Sequence, residues 1–142
     1  MVEVEFKGLD KIIAKLDKMQ DTSTIVSAMQ SACAVVEAAA IKNAPKRSGD
    51  LRRSIESNVE GNGNEIKGTI STPLEYAPYV EYGTGLYAEG GNGRKEVPWA
   101  YKDEKTGELI WTAGQHPHPF MRPALNDNRN AIIATIKEGI GK

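Results

Sequence analysis

The side chains best able to do chemistry are few and far apart. Cys33, His116 and His118 are the only thiol and imidazole groups in the 142 residues. The two histidines are separated only by Pro117, and the cysteine lies far upstream, so no zinc-binding spacing exists. The run GGNGRK at 90–95 has the glycines of a phosphate loop but not the Walker pattern or its serine or threonine. Asp103, Glu104 and Glu108 cluster around an expected turn and read as solvated. Catalysis needs titratable groups that converge, and no such set can be assembled. The chain is therefore read as a non-enzyme, with no cofactor, metal or small-molecule substrate.

The residues suited to recognition are more numerous. YAPYVEYGTG, from Tyr76 to Gly85, brings Tyr76, Tyr79 and Tyr82 together with Glu81 and Gly83. These rings either fill the edge of a core with Val80 or lie at a subunit boundary. Tyrosine suits a boundary because it buries apolar area while its hydroxyl stays satisfiable. Lys46, Arg47, Arg52 and Arg53 form a basic group that can cap a short helix in solvent, meet acidic groups of a neighbouring subunit, or touch nucleic acid. Four charges in a chain of net charge −1 are too few to claim nucleic-acid binding, so pairing between subunits is favoured over phosphate contact. Phe120 is expected to plug the core. Arg122 could grip a loop carbonyl or a carboxylate such as Glu81 with both arms of its guanidinium. Trp99 and Trp111 are expected either to pair across a hairpin or to face a partner.

Elements that would position these residues follow from periodicity. Val2, Val4 and Phe6 alternate with charged residues, as in a short strand. Leu9, Ile12, Ile13, Leu16 and Met19 share one face at helical spacing, which predicts an amphipathic helix over 8–20. A second, alanine-rich helix is predicted over 24–43, with Ile25, Met29, Ala32, Cys33, Val36 and Ala40 as its buried stripe and Pro45 as its stop. Ser48 caps a short helical turn through Arg53. SIESNVE and EIKGTIST, separated by GNGN at 61–64, read as a hairpin. A short helix follows, ended by Gly83. Residues 85–115 are expected to be a flexible glycine-rich loop and a second hairpin with DEKTG as its turn. A last helix is predicted over 122–139. Helices, then strands, then a helix indicate one α+β domain over 1–142, with a small antiparallel sheet packed against an N-terminal helix pair and a C-terminal helix.

Composition agrees with a globular chain of ordinary polarity. No apolar run approaches the roughly 20 residues needed to span a bilayer, the start lacks the features of a secretory signal, and a lone cysteine suits a reducing compartment. A membrane role is not expected.

Three segments in order carry a resemblance: Arg47, Ser48, Gly49, Leu51, Arg52, Ser54 and Ile55; then Tyr76, Ala77, Val80, Glu81, Tyr82, Gly83 and Thr84; then Pro117, Phe120, Met121, Arg122, Pro123 and Ala124. Together they resemble the head–tail joining, or tail-completion, proteins of long-tailed phages and prophages, the gene-product-ten-like family. The resemblance implies a structural virion protein at the neck, made in the host cytoplasm. Its partners would be its own copies, in a ring expected to have six members, and other neck and tail proteins. Genomic DNA would pass through the channel without specific binding. A tail-terminator ring is the nearest alternative, and a small cytoplasmic regulatory module a more distant one. Tyr76, Tyr79, Glu81, Tyr82, Gly83, Trp99, Trp111, Phe120, Arg122, Arg47, Arg52 and Arg53 are the residues expected at subunit contacts.

Overall fold

The computed structural model describes residues 3–7, 11–15, 22–46, 49–62, 65–91, 93–103 and 106–140. The chain divides into two compact units, one from Met1–Pro73 with Phe120–Lys142 and the other from Leu74–Pro119.

The first unit is a helix-on-sheet layer. Strands β1 (Glu3–Lys7), β2 (Lys11–Lys15), β3 (Glu56–Asn62) and β4 (Glu65–Ser71) form an antiparallel sheet in the order β1-β2-β4-β3. Across it lies α1 (Thr22–Asn43), followed by α2 (Gly49–Ser54). The unit closes with α4 (Met121–Asn126) and α5 (Arg129–Ile140), both packed on α1. Alternation in β4 sends Ile66, Gly68 and Ile70 to the helix side. At Gly68 any Cβ would collide with Cys33 Sγ and crowd Met29. That glycine is what lets the alanine-rich face of α1 sit so close to the sheet. A similar approach joins α1 to α5, where Gly139 faces Ala28. The core is completed by Ile12, Ala14, Ile25, Leu51, Phe120, Leu125, Ile132 and Ile136, all buried.

One expected helix is not present. Residues 11–15, placed in a helix over 8–20 by their spacing, are strand β2, paired with both β1 and β4. The rest of that expected helix, apart from 11–15, falls outside the described residues. Ile12, Ile13 and Ala14 are all buried in a strand with hydrogen-bonded neighbours on both edges, and this burial on two faces produces an apolar run that mimics helical spacing. α1 corrects a second expectation: it is long and apolar enough, by length and composition, to pass for a membrane-crossing helix. Its Ile25, Met29, Cys33, Val36 and Ala40 are buried in the core instead, as in any central helix. The expected C-terminal helix is divided at Asp127 and Asn128 into α4 and α5. There the Asn128 side-chain amide donates to the Ala124 carbonyl at 2.8 Å while its backbone amide falls back on Leu125 at 3.3 Å.

The second unit contains α3 (Ala77–Tyr82), two 3-10 turns at Gly85–Tyr87 and Glu89–Gly91, and a ribbon of β5 (Trp99–Lys102) and β6 (Leu109–Thr112). Backbone hydrogen bonds shut its base. Thr84 N donates to Gln115 O at 2.9 Å, Leu86 N to Ala113 O at 3.0 Å, and Gln115 N to Thr84 Oγ1 at 2.8 Å. Gly85 and Gly114 lie back to back in this clasp, each with a positive φ, and a Cβ on either would strike the opposite backbone.

Candidate functional site

The first motif block is a folding corner. Arg52 Nε and Nη2 donate to the Ala44 carbonyl at 3.2 and 2.9 Å, so the guanidinium closes the C-terminal end of α1 with the charge its dipole favours. Leu51 and Ile55 are buried, and Ser54 Oγ meets Thr72 Oγ1 at 2.6 Å, tying α2 to the chain leaving β4. Arg53 pairs with Asp50 on the surface, an exposed ion pair of little energetic weight. Arg47 and Ser48 lie outside the described residues. Arg52 therefore spends these two donors on its own chain. Phe120 is 1% exposed, in the first unit's core. Arg122 is half-buried on α4.

The second block behaves differently. α3 turns Ala77, Val80 and Glu81 inward and Tyr76, Tyr79 and Tyr82 outward, with Tyr79 58% exposed. Positions three apart fall on one side of a helix, so the three rings make a stripe on the surface. Glu81, 3% exposed, has its carboxylate withdrawn from any outside contact. Gly83 ends the helix at φ 82°, its amide donating to Tyr79 O at 2.9 Å. It is buried among Gln115, Pro117 and Tyr87, so it shapes the loop and presents nothing outward.

Beside the tyrosine stripe is a cleft of about 730 Å³, lined by Pro78, Tyr79, Tyr82, Ala88, Glu89 and Trp99, among others. The guanidinium of Arg94 stands over the Trp99 ring, 5.1 Å from its centroid, a cation–π contact that steadies the indole. His116 stacks on Tyr87 with centroids 3.8 Å apart, and His118 donates its backbone amide to Val80 O at 2.7 Å.

Trp99 and Trp111 do not pair. The ribbon register sets Trp99 opposite Thr112 and Trp111 opposite Ala100, so the two indoles point to opposite faces. Trp99 lines the cleft; Trp111, 67% exposed, stands on the other face beside Leu109. Leu86, Tyr87, Tyr101 and Leu109 are also exposed, and no one of them was singled out by the motifs. Hydropathy cannot separate an exposed leucine from a buried one; the ribbon register would have done so.

Cys33 is buried, and burial followed by the nearby Glu37 carboxylate pushes its thiol up to about 11. Among the described residues no three His, Cys, Asp or Glu side chains gather to hold a metal ion.

Residues 10–83 match the model of a protein family described as "Bacteriophage HK97-gp10, putative tail-component". The match spans β2, α1, the α2 corner, the β3–β4 hairpin and α3, and so includes the first motif block and the second as far as Gly83. No curated protein and no solved structure matches the chain. This chain belongs to the HK97-gp10-like family of phage tail components.

Proposed function

We propose that this tail component acts at the phage neck as a ring-forming subunit that completes the tail and joins it to the head. The supporting observation is the distribution of exposed apolar side chains. Among the described residues, every large exposed one — Tyr76, Tyr79, Tyr82, Leu86, Tyr87, Tyr101, Leu109 and Trp111 — belongs to the unit Leu74–Pro119. Concentrated exposed apolar surface marks a binding face. A protein that works by contact alone requires such a face and no reaction centre. On this reading the first unit supplies a stable body, and the second unit meets copies of the chain and neighbouring tail and neck proteins. Viral DNA passes without specific binding, which agrees with Arg52 being turned to the Ala44 carbonyl of its own chain.

The test is a phage lacking this gene. Filled heads and finished tails should accumulate unjoined, and supplying the protein in extracts should join them. Normal joined particles from the deletion would sink the proposal.

A further inference from the structure

Strand β3 is an open edge of the sheet. Among the described residues its hydrogen-bonded neighbour is β4 alone, and no loop or turn backbone bonds to its other side. Its sequence, ESNVEGN, holds no proline or lysine. Its register with β4 runs unbroken from Glu56 opposite Ser71 to Asn62 opposite Glu65, so no bulge bends it away. Glu56, Ser57, Asn58, Glu60 and Gly61 are exposed. Such an edge presents a row of unpaired N–H and C=O groups, and the ligand that matches them is another extended strand. We infer that β3 pairs antiparallel with β3 of a second copy, about a two-fold axis at Val59. The joint sheet then has the order β1-β2-β4-β3-β3-β4-β2-β1.

The strand's own residues select both this partner and this register. Ser57, Val59 and Gly61 oppose Ile70, Gly68 and Ile66 and so lie on the α1 side; Glu56, Asn58 and Glu60 lie on the other. Two copies that keep α1 on the same side of the joint sheet can meet in few registers. Centring the axis on Asn58 sets Glu56 against Glu60, and centring it on Glu60 sets that residue against its own copy. Parallel pairing in register stacks both glutamates on themselves. Like charges directly opposite one another destabilise a ladder. Centring on Val59 pairs all seven residues, sets Glu60 against Asn58 and Glu56 against Asn62, and leaves no glutamate opposite another. Within one chain Asn58 Nδ2 donates to Glu60 Oε1 at 3.2 Å, and the two-fold pairing sets the same donor and acceptor opposite each other twice more. The strand is also held in shape before its partner arrives. α1 packs on it, and Ser57 Oγ donates to Glu37 Oε2 at 3.0 Å. This contact is made by main chain and is separate from the apolar rings of the second unit. It goes beyond the neck role, which the deletion phage tests independently.

A Val59→Cys protein tests the axis directly. Under a mild oxidant its thiols should link chain to chain at position 59, at least about tenfold faster than those of a Thr106→Cys control, because pairing raises their effective concentration. In the wild-type protein, amide exchange along β3 should slow as protein concentration rises. Asn58→Glu sets glutamate against Glu60 twice and should weaken association about tenfold; adding Glu60→Gln should restore it. Circular dichroism checks each fold, and if Val59→Cys does not fold, the exchange measurement on wild type carries the test. Exchange along β3 that ignores concentration, linking of Val59→Cys no faster than the control, or unaltered association of Asn58→Glu would each overturn the inference. None of these outcomes bears on whether heads and tails join, so the two proposals fail separately.

Discussion

The two units of this chain use apolar residues in opposite ways. In the first, Ile12, Met29, Leu51, Ile66, Phe120 and Ile136 are buried, and no large apolar side chain among the described residues is exposed. In the second, only Ala77 and Val80 among apolar residues are buried, and the large rings face outward. One unit is held by burial of hydrocarbon, the other by a clasp of backbone hydrogen bonds and glycines in contact. Stability and apolar recognition are thereby assigned to different stretches of chain. Changes to the first should be felt in folding, and changes to the outer rings of the second in association.

Four measurements can break or sharpen that contrast. The largest effect is expected from Phe120→Ala, which empties a fully buried site and should cost about 3–5 kcal/mol in urea unfolding. Next comes Cys33. Its thiol is raised from 9.0 to about 11 in the folded protein, so the stability it contributes is complete below pH 9 and is lost as pH rises through 11. Relative to Cys33→Ala, wild type should lose on the order of 2–3 kcal/mol over that range; the same thiol should resist aromatic disulfide reagents until the protein unfolds. Gly68→Ala forces a methyl group against Cys33 and Met29 and should cost about 1–3 kcal/mol by overpacking. The smallest change in stability should come from Trp111→Ala or Tyr79→Ala, within about 0.5 kcal/mol, accompanied by loss of assembly beyond the β3 pair in sedimentation. A Trp111→Ala protein that unfolds several kcal/mol more easily would mean that the ribbon serves the fold, and the division of roles would be wrong.

Local pattern carried much of this organisation. The stripe of α1, the β3–β4 hairpin and the stop at Gly83 are all visible in residue order, because each is governed by neighbours a few positions away. Strand β2 was hidden because its pairing with β1 and the distant β4 overrides a spacing that suits a helix. Arg52 was hidden for a different reason: its partner is a main-chain carbonyl, and carbonyls leave no mark in a sequence. At the candidate site the tyrosine spacing was legible, but which face pointed outward depended on what Val80 and Glu81 could be buried against. Glycine is the most ambiguous letter. The same residue type serves chain freedom and close contact, and Gly85, Gly93 and Gly114 show close contact in the described structure.

The clasp at Thr84–Leu86 and Ala113–Gln115 has an evolutionary consequence. Because both ends of the intervening segment are fastened side by side, residues 87–112 behave as a cassette whose length and cargo can drift while its anchor points stay put. A lineage could exchange one ribbon for another, and with it one neighbour for another, without disturbing how the rest of the polypeptide folds.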